Sequence, residues 1–215
     1  NQLSPIGFYV NDAYVVSRGS QGGQLFDLDR VEVLRGPQGT LYGRNTTGGA
    51  INIITRKPKL KGINGYVQAG YGNFDDVRAQ GAIEFTPVED AFGIRLAADF
   101  ARHDAYFENI FPGQPDVQSG NSLTGRISVR LKASEDLEFN LMAFASRSRF
   151  WQPANYVLGT APDGTNPFTG YTRGSLGFFK TDTDLPLKFN NRARGGQFTA
   201  RYQLTDELSV QSISF

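Results

Sequence analysis

Hydrophobic and polar residues alternate with a period of two through most of the chain after Gly62. In residues 77–85, for example, one face reads Val, Ala, Gly, Ile and Phe, and the other reads Arg, Gln, Ala and Glu. Because successive side chains of a β-strand point to opposite faces, this period predicts strands with one apolar and one polar face. The sequence predicts seven such strands, at about residues 65–73, 76–86, 91–103, 122–133, 137–150, 195–205 and 208–215.

The connections between these strands differ in length at the two ends of the predicted sheet. Residues 104–121 and 151–194 form long loops, whereas short polar turns fall at residues 86–93, 134–136 and 205–207. Strands of about ten residues with short turns at one end and long loops at the other are typical of an outer-membrane β-barrel. A soluble β-sandwich also alternates and stays open as an alternative, although its loops would not segregate so consistently by length. The pattern favours the barrel.

The first 58 residues have a different pattern. Their apolar runs are short and separated by glycines, and they fall at residues 6–10, 13–16, 31–34 and 50–54. Short runs that are rich in Val and Ile and bounded by turn residues predict buried strands of a small sheet. The sequence therefore divides into a small domain, a basic linker and a strand-rich domain, at residues 1–58, 59–64 and 65–215.

Composition and charge narrow the function classes. The 215-residue chain has no cysteine, which excludes a disulfide scaffold and a thiolate metal site. Its formal net charge of +1 argues against a nucleic-acid-binding protein, which normally carries a marked basic excess. The single histidine, His103, lies beside Asp104 at the end of a predicted strand. A hydrolase would need further residues placed around it in space, so we expect an ordinary residue at the rim.

A glycine-rich stretch carries the most specific signal in the chain. It contains a predicted strand at residues 29–34, followed by Arg-Gly-Pro at 35–37 and Leu-Tyr-Gly at 41–43. Two glycines at 48 and 49 then precede a second predicted strand at residues 50–54. Residues 25–58 closely resemble the closing half of the plug domain of TonB-dependent outer-membrane receptors. Within this stretch, the residues expected to hold the shape of the plug are Arg35, Gly36, Pro37, Gly39, Tyr42, Gly43, Gly48, Gly49 and Asn52.

The resemblance implies a fold. The chain would be all-β with a small mixed plug, and it would form part of a plugged antiparallel transmembrane β-barrel in the outer membrane of a Gram-negative bacterium. Residues 1–58 would be the C-terminal part of the plug, and residues 65–215 the N-terminal part of the barrel. Plugged transporters of this kind close with about 22 strands. Seven strands would be about a third of that wall, so we expect the chain to be a piece of a longer protein.

The resemblance also implies a receptor and active transporter rather than an enzyme. The ligand would be a scarce, bulky substrate, by default a ferric siderophore, and the TonB complex would supply the energy. Uptake of haem, vitamin B12 or a glycan stays open as an alternative. A non-transporting adhesin, or a hydrolase with its site at the rim of the barrel, is a less favoured alternative. The implied partners are outer-membrane lipid, the ligand and the TonB complex, whose contact segment we expect outside this chain. No nucleic acid and no cofactor are implied, because the iron would arrive within the ligand.

Candidate site residues follow from the resemblance and from strand parity. Arg35 would pair with a glutamate of the inner barrel wall, since a buried guanidinium needs a carboxylate, and Glu84 is the inward-facing glutamate that we identify here. Ligand contacts are expected from a plug apex and from the aromatic loop 151–194, through Arg18, Gln21, Gln24, Trp151 and Tyr156.

Several arginines of the predicted strands share the inward face by parity: Arg78, Arg95, Arg126, Arg130 and Arg201. Inward arginines would either steer an anionic substrate or pair with carboxylates of the plug. The second role is slightly favoured.

Overall fold

Two β-sheets contain most of the regular structure of the chain, which a computed structural model describes for residues 5–15, 25–152, 161, 163 and 177–215. One sheet has four strands and is formed before residue 56, and the other has seven strands and is formed after residue 62. A basic segment that contains Pro58 connects them.

The small sheet is mixed. Its strands are β1 (Ile6–Val10), β2 (Ala13–Tyr14), β3 (Leu28–Arg35) and β4 (Gly49–Thr55), in the spatial order β2-β1-β4-β3. Strand β1 runs parallel to β4, whereas β3 runs antiparallel to β4. A single-turn helix, α1 (Gly39–Tyr42), lies between β3 and β4.

A two-residue hairpin turn joins β1 to β2. Val10 pairs with Ala13, and the residues between them, Asn11 and Asp12, have φ angles of 46° and 68°. Positive φ at both central positions is the geometry of a type I′ turn, and Asn and Asp are among the few residues other than glycine that adopt it readily.

The large sheet is an up-and-down antiparallel wall. Its seven strands confirm the seven predicted ones, and they follow the order of the chain with no crossover. The strands are β5 (Ile63–Gly72), β6 (Asp76–Val88), β7 (Phe92–His103), β9 (Gly120–Lys132), β10 (Leu137–Trp151), β12 (Lys188–Gln203) and β13 (Ser209–Ser214).

The predicted long loop at residues 151–194 is shorter than the sequence suggested. Strand β12 begins at Lys188 and pairs with β10 as far as Trp151, so both ends of that predicted loop are strand. Two short strands, β8 (Glu108–Asn109) and β11 (Lys180–Thr181), pair in parallel and join the two long connections to each other.

The two faces of the wall are the reverse of those of a soluble sandwich. Charged inward-facing side chains are buried against the small sheet, with Glu84 1% and Arg95 5% exposed. Large apolar side chains of the opposite face are open, with Val67 88% and Leu123 57% exposed. An apolar outer face and a polar inner face are expected of a wall that meets lipid on the outside, so the structure favours the membrane barrel over the soluble sandwich.

An apolar cluster lies between the small sheet and the wall. Val10, Val15 and Ile53 of the small domain pack with Met142 of β10, and all four side chains are buried. In the part of the chain that the structure describes, no helix is both long and apolar enough to span a membrane.

We expect Gly49→Ala to destabilise the small sheet. Gly49 has a φ of +145°, and a Cβ added there would lie 2.3 Å from the carbonyl oxygen of Leu34 on the neighbouring strand. Strained backbone of this kind costs on the order of 1–3 kcal/mol, and the clash adds to that cost. The measurement is the protease sensitivity of residues 5–55 in a full-length protein that carries this chain.

Gly39→Ala is the matched control. No atom lies within 4 Å of a Cβ added at Gly39. Equal protease sensitivity of the two variants would contradict the role assigned to Gly49.

Candidate functional site

A buried carboxylate of the small domain lies between two arginines of the wall. Asp27 directly precedes β3, has a φ of 52° and has a side chain only 1% exposed. Positive φ is tolerated by Asp better than by most residues. Asp27 and its partners Glu84, Arg95 and Arg126 are called the anchor cluster below.

Arg95 makes the most extensive contact with Asp27. Its Nε donates to Oδ2 at 2.9 Å and its Nη2 donates to Oδ1, so the guanidinium binds both carboxylate oxygens. Two parallel N–H···O bonds fix orientation as well as distance, and charge-assisted bonds are about twice as strong as neutral ones.

Arg126 binds the same segment from the next strand of the wall. Its Nη2 lies 2.9 Å from the carbonyl oxygens of Phe26 and Asp27 and 3.3 Å from Asp27 Oδ2. The guanidinium carbon also lies 4.5 Å from the centroid of the Phe26 ring. The side chain of Arg126 is 1% exposed. The two backbone carbonyl groups, the carboxylate and the ring therefore surround the guanidinium of Arg126, which water does not reach.

Glu84 completes the charge balance of the anchor cluster. Its Oε2 accepts from Arg95 Nη1 at 2.8 Å and from the backbone N–H of Lys59 at 3.3 Å. Two carboxylates therefore face two guanidiniums, and the cluster has no formal net charge. Neutrality matters because an unpaired charge in a dry interface costs several kcal/mol.

The two arginines control the ionisation of Asp27. Burial raises the pKa of the carboxyl group, but the hydrogen bonds and charges of Arg95, and then of Arg126, outweigh that effect and hold the pKa below its ordinary value. Asp27 is therefore an anion throughout the neutral range.

A second contact between plug and wall lies at the β1–β2 turn. Gln197 Nε2 of β12 donates to the carbonyl oxygen of Asn11 at 2.8 Å, and Asn11 Nδ2 lies 3.5 Å from Met142 Sδ of β10. Asn11 also accepts from the backbone N–H of Thr55 at 2.9 Å through Oδ1. This turn therefore connects β4 to two strands of the wall.

The connecting segment lies against the wall as well. The N–H of Asp90 donates to Leu60 O at 2.9 Å, and Lys57 Nζ lies 3.6 Å from Glu138 Oε1. A Cβ at Gly93 would lie 2.7 Å from Lys59 O, so the close approach requires glycine there. Residues 57–60, which include the start of the segment predicted as a linker, are thus held against the wall.

The predicted pair between Arg35 and Glu84 is wrong. Glu84 binds Arg95, whereas Arg35 is exposed and forms no ion pair with any residue that the structure describes. Arg35 lies at the opposite end of β3 from Leu28, a separation of roughly 23 Å along an extended strand, while Glu84 is joined to Asp27 through Arg95. A partner for Arg35 elsewhere in the barrel stays a prediction.

Asn52 is buried at the centre of the small sheet, where it links two elements. Its Nδ2 donates to Asp12 Oδ1 at 2.7 Å and to Glu32 Oε2 at 3.1 Å, and its Oδ1 accepts from the N–H of Asp12 at 3.2 Å. This amide holds the β1–β2 turn to β3. Tyr42 likewise links two elements, because its carbonyl oxygen accepts a hydrogen bond from the hydroxyl of Tyr9 in β1.

The predicted ligand contacts are mostly outside the described residues, which include none of Arg18, Gln21, Gln24 and Tyr156. Trp151 ends β10, and its position has the opposite parity to Met142, which faces the plug. Lys188 Nζ lies 5.1 Å from its ring centroid. Trp151 therefore lies on the outer face of the wall, where an aromatic girdle is expected, and not on a ligand-binding lumen face.

The sequence contained a signal for the anchor cluster. Parity had placed Glu84, Arg95 and Arg126 on the inner face, and Glu84 lies directly opposite Arg95 in the strand register. Of the five arginines that parity placed on the inner face, Arg95 and Arg126 lie on the next two strands of the wall from Glu84. Glu84 can balance only one of these two charges, so a second anion is needed, which the plug supplies. Asp27 was missed because nothing in its local sequence separates it from its exposed neighbour Asp29. In the described part of the chain, no three His, Cys, Asp or Glu side chains come together as metal ligands.

We expect Asp27→Asn to loosen the plug. The amide would leave two buried guanidiniums facing one carboxylate, and removing one partner of a buried ion pair typically costs about 3–5 kcal/mol. Protease sensitivity of the plug and ion conductance of the full-length protein in a bilayer should both rise. Asp29→Asn is the matched control, since Asp29 is exposed and binds only its neighbour Arg30 among the described residues. Unchanged conductance in Asp27→Asn would contradict the anchoring role.

The contribution of Asp27 should also depend on pH in a defined direction. Its pKa is lower in the folded protein than in the unfolded chain, so its stabilisation is complete above the ordinary Asp value of about 3.9 and is lost as the pH falls through the folded value. We expect the wild type and Asp27→Asn to differ constantly between about pH 7 and pH 5 and to converge in stronger acid. The measurement is plug release against pH. Convergence already near neutral pH would show that Asp27 is not the group that titrates.

The chain is similar to several known proteins. Residues 3–50 match the family model of the TonB-dependent Receptor Plug Domain. The pesticin receptor of Yersinia pestis is 33% identical over 125 residues, which are 57% of this chain and 18% of that protein. The rhizobactin receptor of Rhizobium meliloti strain 1021 is 28% identical and covers 95% of this chain and 28% of its own length.

A solved structure shows the same arrangement of plug and wall. The crystal structure of the ferric yersiniabactin uptake receptor FyuA from Yersinia pestis matches with a TM-score of 0.74 and 25% identity, over 94% of this chain and 30% of that one. The chain thus spans less than a third of the length of each of these relatives. The chain is similar to TonB-dependent outer-membrane receptors: its small sheet falls largely in the segment that matches their plug domain, and its two sheets together match part of the yersiniabactin receptor.

Proposed function

We propose that the protein to which this chain belongs takes up a ferric siderophore across the outer membrane, with energy supplied through TonB. The observation that carries the proposal is the anchor cluster, which fixes a separate plug sheet inside a lipid-facing wall. A barrel that serves only as an adhesin needs no such plug. The names of the relatives, a rhizobactin receptor and a ferric yersiniabactin uptake receptor, support a siderophore as the ligand.

The geometry suggests why such a receptor needs an external energy source. Moving the plug separates Asp27 from Arg95 and Arg126 before water has reached any of the three. Each charge stripped of its partner in a dry interface costs several kcal/mol, so spontaneous release is rare. A pulling force that opens the interface to water lowers this cost, because hydration then replaces the lost ion pairs.

The proposal gives the chain no catalytic step and no resident cofactor. The metal would arrive and leave within its chelate, so the protein needs donors for the chelate rather than ligands for the ion. We assign those donors to the segment with Arg18, Gln21 and Gln24 and to the loop with Tyr156, as the resemblance implies.

Uptake of radiolabelled iron tests the proposal. A strain with the full-length receptor as its only outer-membrane iron route should accumulate iron from at least one member of a ferric siderophore panel. Accumulation should fall to the level of the receptor deletion when TonB is removed, because plug movement then has no energy supply.

Two controls separate the alternatives. A porin-permeable iron chelate should support growth equally with and without TonB. Failure with every ferric siderophore, together with TonB-dependent uptake of haem, vitamin B12 or a glycan, would overturn the assignment of iron siderophores and keep the transport mechanism. Uptake that is independent of TonB would overturn the mechanism.

A further inference from the structure

A group of cations lies on the outer face of the wall, at the end that carries the long connections. In β10, Met142 faces the plug, so the odd-numbered positions of that strand face outward. In β12, Gln197 faces the plug, so the even-numbered positions face outward. The outward cations of these strands and of β7 form what we call the outer basic patch: Arg102, Arg147, Arg149, Lys188, Arg192 and Arg194.

The strand register brings these cations together. Arg147 lies directly opposite Arg192, and Ala145 opposite Arg194. Asn121 of β9 lies between Arg102 and Arg149, with which it pairs on its two sides. Opposed residues of neighbouring strands have Cβ atoms about 5 Å apart, so the patch is continuous across four strands.

The patch begins where the apolar band of the same strands ends. Further along the outer face, β10 carries Leu141, which is 50% exposed, and β12 carries Phe198, which is 43% exposed. Long loops of outer-membrane barrels face the cell exterior, whereas short turns face the periplasm. The patch therefore lies at the level of the headgroups of the outer leaflet.

Most of these cations form no ion pair with any residue that the structure describes. Across the described ranges, Arg102 is the one member of the patch with an ion pair, to Asp104 at 3.5 Å. Snorkelling toward the headgroup layer explains a single lysine or arginine at this depth. It does not explain like charges directly opposite each other, which are destabilising unless an anion lies between them.

We propose that the outer basic patch binds the phosphate groups of an outer-leaflet lipid. A cavity of about 330 Å³ is lined by Arg102, Asn121, Arg149, Trp151 and Lys188, which offer guanidinium, amide and ammonium donors beside an aromatic ring. The carboxylate of Asp104, which pairs with Arg102, also lines this cavity, so its donors outnumber a single anion. One guanidinium can bind two phosphate oxygens at once, and a headgroup with several phosphate oxygens can therefore be bound by several arginines. The ring of Trp151 lies at the depth where aromatic side chains meet the interface. The inference rests on the position of the wall in the membrane and holds for any transported ligand.

Lipid binding by the purified full-length receptor tests the proposal. Diphosphoryl lipid A and its dephosphorylated counterpart, each in detergent micelles, are titrated against the wild type, Arg192→Gln/Arg194→Gln and Arg147→Gln/Arg149→Gln. Each cation near a membrane surface contributes about fivefold to binding of an anionic lipid, so each double variant should bind the phosphorylated lipid about 25-fold more weakly. Wild-type binding should also weaken as salt is added, because exposed charges are screened.

Arg78→Gln/Arg201→Gln is the matched control, because it removes the same charge from the inner face of the wall. Arg192→Lys/Arg194→Lys keeps the charge and should retain most of the binding, which guards against a folding defect in the glutamine variants. Equal weakening in the control, or equal affinity for the dephosphorylated lipid, would overturn the proposal. Inorganic phosphate is also titrated alone and in competition with the phosphorylated lipid. If it displaces the lipid at the same concentration at which it binds to the patch by itself, the patch is a site for free anions, and the assignment to a lipid is overturned.

Discussion

The position of the plug depends on one carboxylate held between two guanidiniums. Asp27 satisfies Arg95 through both of its oxygens and shares Arg126 with two backbone carbonyl groups, and Glu84 makes the cluster neutral. Neither the arginines nor the aspartate has a favourable state without the others, because each is almost fully buried. The plug sheet and the wall therefore determine each other: the wall without the plug would carry unpaired buried cations, and the plug without the wall would expose Asp27 to water.

This dependence explains the reversed faces of the wall. In a soluble sheet the apolar face forms the core, and charged residues face water. Here the apolar face meets lipid, so the inner face binds the plug mainly through polar side chains, apart from two small apolar clusters, one around Met142 and one in which Phe26 packs with Ala82 and Ala97. Specific ion pairs and hydrogen bonds therefore hold the plug against the wall, as apolar packing holds the sheets of a soluble protein together. The interface is then sensitive to the substitution of single side chains. On the outer face the exception is the group of cations at the exterior end, where the surroundings change from hydrocarbon to headgroups.

The strands could be predicted because the alternation of apolar and polar residues in each one reflects the lipid on one side of the wall and the plug on the other. A period of two over ten residues identifies a strand and its faces without any knowledge of its neighbours, and it placed Glu84, Arg95 and Arg126 correctly. Two failures share a cause. The pairing of Arg35 with Glu84 was wrong, and Asp27 was missed, because both questions concern which plug residue meets which strand. That depends on the packing of β3 inside the wall, and no local pattern encodes it. The outer cations of β10 and β12 were missed for another reason: the extension of β12 to Lys188 was hidden in a predicted loop, so their common face was not visible.

Two atoms of the anchor cluster have no hydrogen-bond partner among the described residues, and this bears on the release of the plug that we propose. Within the described residues, Glu84 Oε1 and Arg126 Nη1 are buried without a hydrogen-bond partner. Each unmet group costs about 1–3 kcal/mol in the closed state, and that cost is recovered when water enters. The closed interface is therefore held by ion pairs whose separation in a dry site is expensive, while its hydrated form gains bonds that the closed form lacks. Such an interface resists thermal fluctuation, which does not admit water, yet it opens progressively once one edge has been pulled apart. A fully satisfied cluster would need more work at every step, and an apolar interface would become more costly as water entered. The partial satisfaction of these four residues thus suits the mechanism that we propose, in which the plug stays closed until force is applied.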